Sequence, residues 1–188
     1  MAYSMNDLKK YLNIELDGLP YKIVDYAHVK PGKGAAFVRT KIKNLIDGRV
    51  IEKTFHAGDK ADEPNLERGK YQYSYNEGDI YYFMDNETYE MLPVDLKVFE
   101  ESKGFLLEGM NVDILFHNGK VIGVELPMTV ELEVVETQPV SNKDRSGACR
   151  KPAKLETGAM VTVPCHIVEG DKLKIDTKTG DYLEKVKN

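Results

Sequence analysis

Ala36-Phe37-Val38-Arg39-Thr40-Lys41-Ile42-Lys43-Asn44-Leu45, then Ile46-Asp47-Gly48-Arg49, then Val50-Ile51-Glu52-Lys53-Thr54-Phe55, decides how the rest of the chain is read. Val38, Thr40 and Ile42 alternate with Arg39, Lys41 and Lys43, the period of two that sends successive side chains to opposite faces of a strand. Asp47-Gly48 marks a turn, and the β-branched Val50-Ile51 opens a returning strand. The same grammar runs upstream. Ile14-Glu15-Leu16, Asp17-Gly18 and Tyr21-Lys22-Ile23-Val24 spell a hairpin closed by an Asp-Gly turn. This first antiparallel unit ends near the polar stretch Gly58 to Pro64.

Downstream, Tyr71, Tyr73 and Tyr75 alternate with Gln72 and Ser74, and Asn76-Glu77-Gly78-Asp79 turns the chain into Ile80 to Met84. Asp85-Asn86 is a second turn, with a strand expected over Thr88 to Leu92. One short helical region is expected between Val94 and Leu107, then a hairpin from Asn111 to Glu125 around Asn118-Gly119. Thr129 to Val135, Met160 to Val163, Lys172 to Asp176 and Tyr182 to Val186 form a last set of strands, with a loop from Gln138 to Pro152. Short strands separated by Gly-bearing turns indicate an all-β chain of small barrels. Pro64 and Pro127 sit near the two breaks, dividing the chain into residues 1–64, 65–127 and 128–188. Barrels of that size bury only about 60% of their unfolded surface, so packing between neighbours is expected to help.

Composition excludes several classes. With 188 residues, 41% hydrophobic and 30% charged, the chain is too apolar for disorder and too polar to span a bilayer. No apolar segment follows Met1, so a secretory leader is not expected and a cytoplasmic location is. Cys149 and Cys165 form no Cys-x-x-Cys and no metal-ligand spacing, and nothing points to an oxidising compartment. His28, His56, His117 and His166 are scattered, so neither a metal nor a cofactor is expected. Ser146 and Cys149 have no nucleophile pattern around them, and enzyme activity is disfavoured.

The formal net charge of −5 is uneven. Lys30, Lys33, Arg39, Lys41, Lys43, Arg49 and Lys53 face only Asp47 and Glu52 in residues 29–53, whereas residues 54–136 are strongly acidic and residues 137–188 again basic. Such a chain can meet polyanions at its ends. Arg39, Lys41 and Lys43, on one strand face, suit phosphate neutralisation or the solvent face of an edge strand equally well. The six tyrosines between Tyr71 and Tyr89 lie among acidic groups and read as barrel packing, not a base-stacking platform.

Lys30-Pro31-Gly32-Lys33-Gly34 is the sharpest local feature. Pro31 and Gly32 fit the two central positions of a type II turn, which demands positive φ at Gly32. Gly34 frees the return strand. Lys33 then stands at the tip between glycines, where a cation reaches a narrow polyanionic cavity or is reached by a modifying enzyme. By themselves the five residues fit a solvated hairpin tip better than either. There is no Gly-x-x-x-x-Gly-Lys-[Ser/Thr], so this is not a nucleotide-phosphate loop.

Taken together, Val29-Lys30-Pro31-Gly32-Lys33-Gly34-Ala35-Ala36-Phe37, Glu52-Lys53-Thr54-Phe55, Phe83-Met84-Asp85-Asn86-Glu87-Thr88-Tyr89-Glu90, Leu132-Glu133-Val134-Val135-Glu136-Thr137, Lys151-Pro152-Ala153 and Gly158 to Pro164 resemble bacterial elongation factor P along essentially the whole chain. The resemblance implies an SH3-like barrel of KOW type followed by two OB-fold barrels, in an L that mimics tRNA. It implies a non-enzymatic monomer that binds the 70S ribosome beside peptidyl-tRNA and relieves stalling at consecutive prolines. Lys33 would reach toward the peptidyl-transferase centre and, in many members, receive an extension from a lysine-modifying enzyme. Lys30, Pro31, Gly32 and Gly34 would support that tip. Arg39, Lys41, Lys43, Arg49, Tyr182 and Lys185 would contact tRNA or ribosomal RNA, and Lys143, Asp144 and Arg145 would lie on the message side.

Three departures stand out. Lys143-Asp144-Arg145 replaces Gly-Asp-Thr, Cys165 replaces an aromatic residue, and Tyr182-Leu183-Glu184-Lys185 ends in lysine rather than arginine. A divergent paralogue, or an RNA-binding adaptor without proline-specific rescue, is the alternative reading.

Overall fold

A computed structural model describes residues 1–139 and 149–186. The chain folds into three antiparallel β-sheets in sequence order. The first holds β1 (Ala2–Ser4), β2 (Asn13–Leu16), β3 (Leu19–Val29), β4 (Phe37–Asn44), β5 (Val50–His56) and β6 (Lys60–Asp62), in the order β1-β6-β2-β3-β4-β5. The second holds β7 (Glu67–Glu77), β8 (Ile80–Asp85), β9 (Met91–Asp95), β10 (Asn111–His117) and β11 (Lys120–Glu125), in the order β11-β10-β7-β8-β9. The third holds β12 (Thr129–Thr137), β13 (Arg150–Leu155), β14 (Met160–Pro164), β15 (Lys172–Asp176) and β16 (Tyr182–Lys185), in the order β14-β13-β12-β15-β16. The chain divides into two compact units, residues 1–68 with 115–123 and residues 69–114 with 124–188.

Local chemistry explains most of these elements. Asp17 and Gly18 both take positive φ, +52° and +75°, as a two-residue hairpin turn requires, and they join β2 to β3. Along β4, Val38, Thr40, Ile42 and Asn44 are buried while Arg39 and Lys41 are exposed, so the alternation in the sequence is the alternation in space. Ile14, Ile23, Val38, Ile42 and Phe55 form the core of this first sheet with Leu8 and Ala61. The Thr40 hydroxyl, inside that core, donates to the Lys53 carbonyl at 2.8 Å, so the buried polar group is satisfied.

Some elements differ from expectation. The polar stretch Gly58 to Pro64 contains β6, whose Lys60 and Asp62 pair with Ser4 and Ala2 of β1. Each strand is only three residues, too short to show an alternating hydrophobic signature, and is fixed by its ladder together with Ala61 in the core and Tyr3 packed against it. The strand expected over Thr88 to Leu92 begins only at Met91. Asp85 accepts from the backbone N–H groups of Glu87 and Thr88, and Tyr89 takes φ +60°, so side-chain hydrogen bonds hold residues 85–90 in a turn. The helical region is two short 3₁₀ segments, Leu96–Val98 and Glu100–Phe105.

Within the second unit, two sheets share buried surface. Tyr73, Tyr81 and Phe83 of the central sheet and Phe99, between the two 3₁₀ segments, meet ring to ring with centroids 5.0–5.8 Å apart. From the segment that follows, Phe105, Leu107 and Met110 pack against the C-terminal core of Val130, Leu132, Leu155, Val163, Leu173 and Ile175. Thr157 donates its hydroxyl to the Gly104 carbonyl at 2.5 Å. Neighbour packing therefore enlarges a core that would be small alone.

Candidate functional site

The site is built on the β3–β4 hairpin. Its ladder runs from Tyr21↔Asn44 to Val29↔Phe37, with a bulge between Ile23 and Asp25. Residues 30–36 connect the two strands, and Lys30, Pro31, Gly32, Lys33, Gly34 and Ala35 are all exposed. No ion pair or side-chain hydrogen bond engages Lys33 among the described residues. Its ammonium is displayed to whatever approaches.

The conformation of the tip corrects the type II expectation. Gly32 does not occupy the positive-φ region; Gly34 does, at +112°. The residue with obligatory glycine geometry is thus the one after the lysine. A Cβ on Gly34 would lie 3.8 Å from Pro31 Cγ, an ordinary contact, so the requirement is backbone conformation and not space.

Arg39, Lys41 and Lys43 do share the outward face of β4. β4 lies between β3 and β5, so the edge-strand explanation of these cations does not apply. The register separates them chemically. Lys41 sits between Asp25 of β3 and Glu52 of β5, Lys43 between Lys22 and Val50, and Arg39 between Ala27 and Thr54. Arg39, flanked by uncharged neighbours and without a side-chain partner among the described residues, presents the least compensated charge of the face. Arg49 is committed elsewhere: its Nη2 lies 2.6 Å from Asp47 Oδ2, and its Nε donates to the same oxygen at 2.8 Å. That fork holds the Asp47 carboxyl below its usual range and pushes the Arg49 guanidinium up.

Aromatic residues border the tip that charge reasoning had not singled out. Phe37 and His56 pair across β4 and β5 with rings 5.9 Å apart, and Tyr26 meets His28 edge to face at 5.8 Å. The β4–β5 register brings Phe37 to His56, whereas Tyr26 and His28 meet because they stand two residues apart on one face of β3.

The C-terminal candidates are placed differently. Tyr182 packs half-buried against the third core, and the Lys185 ammonium lies 2.6 Å from Asp171 Oδ1. Burial alone would raise the Asp171 pKa, but the Lys185 ammonium and the Val168 N–H outweigh it and hold the carboxyl low. Lys143, Asp144 and Arg145 lie outside the described residues. Among the described residues, no group of three His, Cys, Asp or Glu side chains is arranged to hold a metal ion. No helix among the described residues is long and apolar enough to cross a membrane.

Three family models match the chain in succession: the elongation factor P KOW-like domain over residues 4–61, the elongation factor P OB domain over residues 66–124, and the elongation factor P C-terminal domain over residues 130–185. They define the class, a translation factor assembled from small β-domains. Proteins named elongation factor P are similar over nearly the full length: 55% identity in Campylobacter fetus, covering 98% of this chain and 97% of that one, and 54% in Wolinella succinogenes, covering 100% of both. A solved translation initiation factor 5A from Methanococcus jannaschii is 26% identical, with a TM-score of 0.47, over 68% of this chain and 92% of that one. The chain belongs to the elongation factor P family.

Proposed function

We propose that this chain is a non-enzymatic elongation factor that binds the 70S ribosome beside peptidyl-tRNA and stimulates peptide-bond formation at consecutive prolines. The observation that carries the reading is Lys33: exposed, without a side-chain partner among the described residues, and held on the tip of a hairpin whose ladder runs unbroken from Asp25↔Lys41 to Val29↔Phe37. Proline reacts poorly because its ring restricts approach, so a factor that holds the reactants in place raises the rate without acid–base groups. A cation on a slim loop can enter a cavity walled by phosphates, where Coulomb attraction is least screened.

In this reading Lys33 acts at the reacting ends, with Lys30, Pro31, Gly32 and Gly34 shaping its approach, and a lysine-modifying enzyme extends the arm. Arg39, Lys41 and Lys43 meet the tRNA backbone, while Tyr182 and Lys185 face ribosomal RNA and residues 143–145 the message. The working domains are residues 1–64, 65–127 and 128–188, and the factor operates in the cytoplasm as a monomer.

The test is a purified translation system reading a template with a proline run. Wild-type protein should restore full-length product, and Lys33→Ala should abolish the effect while keeping the wild-type melting temperature. Undiminished rescue by Lys33→Ala would overturn the role of the tip. Ribosome binding with a steep salt slope but no dependence on proline content would instead establish an RNA-binding adaptor.

A further inference from the structure

Cys149 and Cys165 are joined in a disulfide, with Cα atoms 5.5 Å apart and a sequence separation of 16. The sequence carried no sign of this, because the pairing depends on the β13–β14 hairpin. In that hairpin Arg150 faces Pro164 and Lys151 faces Val163, so the next step outward brings Cys149 opposite Cys165. The Cys165 N–H donates to the Cys149 carbonyl at 3.3 Å. Both residues are half-buried, so solvent reaches the pair.

We infer that Cys149 and Cys165 form a reversible oxidation site, a thiol–disulfide couple that exchanges with small dithiols while the domain stays folded. Two features carry this. First, the segments that bear the cysteines are held without the sulfur bridge. Ala153, Leu155, Val161, Val163 and Ile167 are buried in the core beneath them. The ammonium of the buried Lys151 donates to the Gln138 carbonyl at 2.8 Å, and Thr137 donates its hydroxyl to the Pro152 carbonyl at 3.0 Å. Reduction therefore leaves the two thiols facing each other, at the high effective concentration that favours re-closure. Second, the pair sits at the open end of the hairpin, where a thiolate can approach.

The exchange balances as follows. One thiolate of the dithiol attacks a cysteine sulfur, the S–S bond breaks, and a mixed disulfide forms. The second thiol of the dithiol then displaces the remaining cysteine as a thiolate. Two electrons and two protons pass to Cys149 and Cys165, and the dithiol leaves as a disulfide. The oxidised form fastens the start of β13 to the connection between β14 and β15; the reduced form leaves it to the ladder alone.

The test equilibrates the full-length protein with dithiothreitol and its oxidised form at a series of ratios. Thiols are then alkylated and intact mass is read alongside amide exchange. The expected result is a single transition between no label and two labels. Across it the Leu132 and Leu173 amides stay protected, while the Cys165 amide exchanges on the order of tenfold faster in the reduced form. A Cys149→Ser/Cys165→Ser variant should match the reduced exchange pattern at every ratio. Two labels at all ratios, labelling only when the Leu132 and Leu173 amides lose protection, or bridging between two chains would each overturn the inference.

Discussion

Val29 and Phe37 close the β3–β4 ladder, and everything that Lys33 can reach is set by the residues 30–36 strung between them. The strands beneath are pinned by Val38 and Ile42, both fully buried, so the base of the tip is rigid while the tip itself is solvated. A rigid base and a bare cationic end are what a positioning role requires, since misplacement by about 1 Å can cost about 100-fold in rate.

Gly34 and Gly32 should respond differently to alanine. At φ +112° a side chain on Gly34 costs on the order of 1–3 kcal/mol unless the loop rearranges, and rearrangement moves Lys33. Gly32 has neither a positive φ nor a neighbour within 4 Å of an added Cβ. Gly34→Ala is therefore expected to cut proline-run stimulation several-fold, and Gly32→Ala to leave it within about twofold. Proline-run translation and thermal unfolding, run on both variants, check this; the reverse ranking would restore the type II turn.

The basic residues of the first sheet should differ in salt dependence. Arg39→Ala is expected to lower the slope of log affinity against log salt by about 1, the signature of one lost phosphate contact. Arg49→Ala should lower it by less than half as much, because Asp47 already occupies its guanidinium. Lys41, between Asp25 and Glu52, should fall in between. Ribosome binding titrated across salt concentrations provides the measurement, and equal losses at Arg39 and Arg49 would contradict it.

The Asp171–Lys185 pair predicts an acid-sensitive third domain. Because the folded pKa of Asp171 is lowered, its contribution is complete above the unfolded value of about 3.9 and is lost as pH falls through the folded value. Asp171→Asn should flatten that acid limb and, at neutral pH, cost about 0.5–1 kcal/mol, a modest figure because Lys185 is 45% exposed. Urea unfolding followed by circular dichroism at pH 7 and pH 3 tests both parts; an unchanged acid limb in the variant would remove Asp171 as its source.

Much of the fold was legible because strand signals are local. The alternation in β4, the Asp17-Gly18 turn and the boundaries of β15 follow from side-chain period and backbone preference within a few residues. β1 and β6 were not, since β1 is a strand only through its pairing with β6, and β6 through its pairing with β1 and β2. The candidate site divided the same way. Lys33 and its exposure were readable from its glycine neighbours, and Arg39, Lys41 and Lys43 from their spacing. Which glycine bears the positive φ was not, because it depends on how the loop meets both strands.

An acidic chain with a cationic block, built of short alternating strands around an exposed Lys33 tip, is what the sequence by itself determined. Only the tertiary structure decided that Lys41 is flanked by carboxylates while Arg39 is not, that Lys185 is tied to Asp171, that Phe105 enters the C-terminal core, and that Cys149 meets Cys165. The first set rests on interactions between near neighbours in the chain. The second rests on register and packing between segments that fold together from a distance, and no local pattern encodes which partner the register will supply.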